Sequence, residues 1–142
     1  MALQRKDIFS MRVVYSLMLI GIALVFYLSW VPSPQLEKLW FMPGWLTRWT
    51  DTPGNEDSRT AVPFVFLGLF AGFLARDHHR FLYRLVISWF ILVGVVTIAE
   101  AGQLVLPHRV FRWADIAWGA AGALLGLLIA SVFIHIRKRF RA

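Results

Sequence analysis

Glu100 and Gln103 stand three residues apart near the end of a long apolar run, and Asp115 opens the next such run. His108, Arg109 and Arg112 fill the short stretch between. An ionisable side chain among hydrocarbon is costly and calls for a partner or a task. At a spacing of three, Glu100 and Gln103 share one helix face. Carboxylates beside guanidinium groups have three chemistries open to them. They can pair, they can orient the arginines so that a planar fork takes phosphate or carboxylate bidentately, or one can accept a proton. Arg112 and Asp115, also three apart, can pair along a helix start, where the dipole favours an acid. Glu100 and Arg109 can pair to pin the connection. A structural network and a ligand-binding one therefore stand side by side on Glu100, Gln103, Arg109, Arg112 and Asp115.

The rest of the chain offers weaker chemistry. Asp77-His78-His79 has metal-ligand types, but adjacent histidines point apart and no further ligand follows at a suitable spacing, so no metal is expected. Ser16, Ser29 and Ser88 lack a histidine or lysine at partner spacing, Ser131 has only His135 one turn on among basic neighbours at the interface, and no residue is assigned a catalytic role. No glycine-rich phosphate loop or cofactor fingerprint occurs, and no cofactor is expected. Cysteine is absent, which removes disulfides, thiolate metal sites and cysteine nucleophiles together.

The elements that must position the polar residues follow from composition. Of 142 residues 58% are apolar and 16% charged, against nearer half and a quarter for a soluble domain. The excess lies in four long runs, so lipid is the natural solvent. The first, Val13 to Val31, has no charge and is long enough for a hydrocarbon core of about 30 Å. It exceeds a signal-peptide core of about 7–15 residues and ends in Tyr27, Trp30 and Pro32, not in a small-residue cleavage site. A retained helix is expected there. The second, about residues 60–75, spans if Arg59 and Arg76 reach outward to the interfaces, with Pro63 placed in its first turn. The third, Phe81 to Leu106, ends at Pro107. The fourth, Trp113 to Ile136, runs into Arg137, Lys138, Arg139 and Arg141. The expectation is an all-α, four-helix transmembrane bundle forming a single domain over residues 1–142.

The net charge of +7 does not point to nucleic acid, because the basic residues sit at the ends of the apolar runs. There they orient a membrane protein and meet anionic headgroups. With four crossings, ten of the fifteen Lys and Arg residues share the side holding both termini, and five lie opposite. Both termini are therefore expected in the cytoplasm. On the outer side, Gln35 to Thr50 carries Trp40, Phe41, Trp45 and Trp49 around Pro43-Gly44, the pattern of short helical turns lying in the interface. Asp51 to Ser58 reads as a polar turn.

Gly119, Gly122, Gly126 and Ala130 follow Asp115 along the fourth run at spacings of four, three, four and four. Such a small-residue stripe lets another helix approach closely, and the third run is its expected partner. Close packing accounts for the stripe without any activity.

Glu100-x-x-Gln103, Arg109, Asp115, Gly122 and Gly126 together resemble the closing signature of VanZ-like membrane proteins. In that family a helix ends in Glu-x-x-Gln, a short loop supplies an Arg, and an Asp opens a final glycine-rich helix. The resemblance to the signature covers Glu100 to Gly126, and the four-helix layout extends it more loosely over most of the chain. Two positions depart from the pattern. Gly119 stands where relatives commonly have Asn, and Asp57-Ser58-Arg59-Thr60-Ala61 stands where they often have Asp-Lys-x-x-His. The resemblance implies a place in the cell envelope, in a bacterial inner membrane, and a link to low-level glycopeptide (teicoplanin) resistance. It identifies no substrate.

The reading that follows is a binder of a polar or anionic lipid-linked envelope molecule at Glu100, Gln103, Arg109, Arg112 and Asp115. The alternative is a structural or accessory subunit docked on a larger membrane complex. An enzyme acting on a lipid intermediate comes third. Membrane lipids, and a membrane-protein partner or a second copy, are the partners expected.

Overall fold

The structure, a computed structural model, describes residues 2–31, 43–76, 79–107 and 109–140. Asp77, His78, His108 and the first half of the aromatic loop lie outside these residues. Five helices form: α1 (Ala2–Trp30), α2 (Gly44–Asp51), α3 (Glu56–Ala75), α4 (Phe81–Gln103) and α5 (Trp113–Arg139). Four of them, α1 and α3 to α5, contain stretches long and apolar enough to cross a membrane: Met11–Trp30, Asp57–Ala75, Phe81–Gln103 and Trp113–Arg139.

The helix ends shift from those expected, for local reasons. α4 stops at Gln103 and not at Leu106. The Leu104 N–H turns back to the Ala101 carbonyl (3.2 Å), tightening the last turn before Pro107. α3 starts about one turn early, at Glu56, so Pro63 falls in the helix interior and not in the first turn. There it removes the intrahelical donor for the carbonyl of residue 59.

Small residues decide how the helices meet. α3 and α5 pack on a reciprocal glycine seam. A Cβ at Gly122 would overlap the Ala61 carbonyl, one at Gly126 would overlap the Val65 carbonyl, and one at Gly68 would overlap the Ala123 carbonyl. The expectation that the stripe meets the third spanning helix is corrected for Gly122 and Gly126, which pack on the second, α3. Only Gly119 meets α4, where a Cβ would come within 2.7 Å of Val96. The physical reason is that α3 carries its own pair, Gly68-x-x-x-Gly72, and two small faces approach closest. In lipid no hydrophobic drive holds helices together, so this close backbone contact matters more than apolar burial. Phe64, Leu67, Ala71, Leu92, Val96, Ala123 and Leu127 close the core between α3, α4 and α5. α1 leans on it from outside through Met18, Ile22 and Val25, and none of its described side chains is fully buried.

Candidate functional site

Antiparallel neighbours bring four helix termini to one end of the bundle: the C-terminus of α1, the first turn of α3, the last turn of α4 and the first turn of α5. All five residues singled out by spacing lie there. Glu100, Gln103 and Asp115 are buried. Gln103 Nε2 donates to Glu100 Oε1 at 2.9 Å, and the Arg112 backbone N–H donates to Glu100 Oε2 at 3.5 Å. Both oxygens of Glu100 thus accept from the turn that follows it. This satisfies a carboxylate that would otherwise be costly at this depth.

Arg112 bridges two helices. Its Nη2 lies 3.4 Å from Asp57 Oδ1 on α3, and its Nη1 lies 3.8 Å from Asp115 Oδ1 on α5. Its side chain keeps 37% of its surface exposed. Both contacts are longer than the about 2.7–2.9 Å of a tight charge-assisted bond.

Arg109 turns elsewhere. Its Nε donates to the Val31 carbonyl (3.0 Å) and its Nη2 to the Leu28 carbonyl (2.9 Å), so the guanidinium caps the C-terminal end of α1. A cation on those unpaired carbonyls is favoured by hydrogen bonding and by the helix dipole. Burial, followed by the nearby Arg59, lowers the Arg109 pKa, and Glu100 opposes that shift. Beside this cap, Trp30 Nε1 donates to the Ala99 carbonyl at 3.2 Å, and its ring covers Gly102 so closely that a Cβ there would overlap it.

The arrangement therefore separates two arginines that spacing alone groups together. Arg112 faces the carboxylates of α3 and α5, whereas Arg109 holds α1 in place. Sequence reasoning left Asp57 out of the site, although it stands in the stretch that departs from the family pattern. Its signal was its place at the start of an apolar run on the same side as Asp115. The α1 carbonyls left no signal, since backbone acceptors look alike at every position.

α2 packs on α3 alone among the described helices. Thr47 and Thr50 are buried, while Trp45 and Trp49 are exposed, so this short helix turns its aromatic face outward. Such a face suits a membrane interface and would be poorly suited to water.

Chemically, the cluster offers buried acceptors on Glu100 and Asp115 and a partly exposed guanidinium on Arg112. No curated protein and no solved structure matches the chain. A family model described as VanZ/LLP1 matches residues 9–134, a span that takes in most of the chain and every residue of the cluster, and the protein therefore belongs to the VanZ/LLP1 family.

Proposed function

We propose that the protein binds a polar or anionic, lipid-linked molecule of the cell envelope at the cluster of Asp57, Glu100, Gln103, Arg112 and Asp115. The observation that carries this reading is the state of Arg112. Two carboxylates on different helices, at 3.4 and 3.8 Å, orient its guanidinium, and more than a third of the side chain is exposed. A phosphate or carboxylate headgroup arriving there meets an oriented fork suited to bidentate binding. Glu100 and Gln103 anchor the turn from which the fork projects. Arg109 serves the site by holding α1 beside it. Any effect on glycopeptide susceptibility is then indirect, through the composition or accessibility of the envelope.

The test is purification in mild detergent from a bacterial host, followed by mass spectrometry of the retained lipids. An acidic or lipid-linked species retained by the native chain and lost on Arg112→Gln supports the reading. The same lipids in both samples would reject it. A stoichiometric protein partner in place of lipid would instead favour the accessory-subunit role.

A further inference from the structure

The described residues of the connection between α4 and α5 expose large apolar side chains. Leu104, Val105 and Val110 are 69%, 84% and 75% exposed, and Trp113, which begins α5, is 76% exposed. Its arginines are engaged by the fold. Arg109 caps α1, and Arg112 lies between Asp57 and Asp115. The turn before α3, at the same end of the bundle, contrasts with it. Thr52, Pro53 and Gly54 are exposed there and carry no large apolar side chain.

The backbone of the connection is partly closed on itself. The N–H groups of Leu104, Leu106 and Arg109 donate to the carbonyls of Ala101, Gln103 and Leu106, and the N–H of Arg112 donates to Glu100. Pro107 has no N–H at all. Four backbone donors of the connection, at 104, 106, 109 and 112, are thus taken up within the protein, which lowers the cost of placing them away from water. Exposed apolar side chains also lie on the adjoining turns of the spanning helices, among them Ile98 on α4 and Trp118 on α5.

We propose that the α4–α5 connection is a tip immersed in the bilayer, contacting lipid as the spanning faces do, and that the polar cluster behind it lies below the headgroup level. The immersion stands on its own observations. Its consequence for entry rests on the ligand reading above: a molecule reaching Arg112 comes laterally, out of the lipid, and a water-soluble anion is excluded.

The absence of cysteine makes the test direct. Val105→Cys and Val110→Cys are labelled with a nitroxide, reconstituted in phosphatidylcholine nanodiscs, and read by power saturation against oxygen and a water-soluble nickel chelate. Ile98→Cys serves as the hydrocarbon reference and Pro53→Cys as the aqueous one. All four positions lie on the surface of the fold, so the substitutions leave the packing alone. The mass-spectrometric comparison of Arg112→Gln reads the ligand and does not depend on these labels, so the two readings fail separately. Immersion requires that both tip labels show an oxygen-to-nickel ratio close to that at position 98 and several-fold above that at position 53. A ratio at either tip position matching position 53 overturns the proposal. So does shielding from both reagents, which would mean that a protein, not lipid, covers the tip.

Discussion

Replacing Gly126 by Ala adds one methyl group at the tightest point of the α3–α5 seam. The new Cβ would overlap the Val65 carbonyl oxygen, and it would lie 2.7 Å from the Leu69 nitrogen and 2.9 Å from the Val65 carbonyl carbon. All three obstacles are backbone atoms of α3, so no side chain can rotate away and the helices themselves must part. Overpacking of this kind costs about 1–3 kcal/mol, and the missing freedom to adjust places Gly126→Ala toward the upper end. Ala is favoured over Gly within a helix by about 0.5–1 kcal/mol, which offsets part of that. The net expectation is a loss of about 1–2 kcal/mol. Gly94→Ala makes the identical chemical change where a Cβ meets no atom within 4 Å. There only the helix preference acts, and a gain of up to about 1 kcal/mol is expected. Reversible unfolding of both variants in mixed micelles, titrated with a denaturing detergent, gives the comparison. Midpoints that move the same way, or a Gly126→Ala variant as stable as the native chain, would refute the seam as the device joining α3 to α5.

Arg109→Gln removes the cap from α1, at a cost of about 1–3 kcal/mol. Because α1 buries little else, amide exchange at residues 27–31 should quicken while α5 stays protected, and uniform acceleration would contradict the local role. Glu100→Ala leaves the Gln103 and Arg112 donors without their acceptor and should destabilise more than Glu100→Gln, by on the order of 1 kcal/mol in thermal unfolding; equal losses would remove Glu100 from the network. A double-mutant cycle of Asp57→Asn with Arg112→Gln should give a measurable coupling, since Nη2 and Oδ1 lie 3.4 Å apart. That coupling should change little as salt rises, because the cluster is out of reach of water-soluble ions, and a coupling that shrinks with salt would place the pair in water. Reporter fusions after Ala142 and within residues 51–58 should report opposite compartments, with Ala142 on the cytoplasmic side; a shared compartment would overturn the topology drawn from the basic residues.

Much of this protein is legible in its sequence because lipid enforces simple rules. A crossing helix needs a long, predominantly apolar run, and each of the four spans is visible as one. Short connections force neighbours to be antiparallel, which brings Glu100, Gln103, Arg112 and Asp115 to one end before any coordinates are known. The glycine spacing on α5 likewise announces a close helix contact. Tertiary structure alone decided who meets whom. The stripe on α5 meets α3 and not α4, because a helix pair closes where both faces are small, and Gly68 and Gly72 reveal that only when set opposite Ala123, Leu127 and Ala130. The division of labour between the two arginines was equally hidden. Three residues apart and chemically identical, Arg109 and Arg112 differ only in what stands before them. One faces the carbonyl end of α1, an acceptor that every helix possesses and no side chain marks, and the other faces carboxylates carried on two separate helices. Local sequence determines which segments become helices, since that depends on each segment's own solvent and spacing. Partners across the bundle depend on the shapes of two surfaces at once, and only the assembled fold brings those surfaces together.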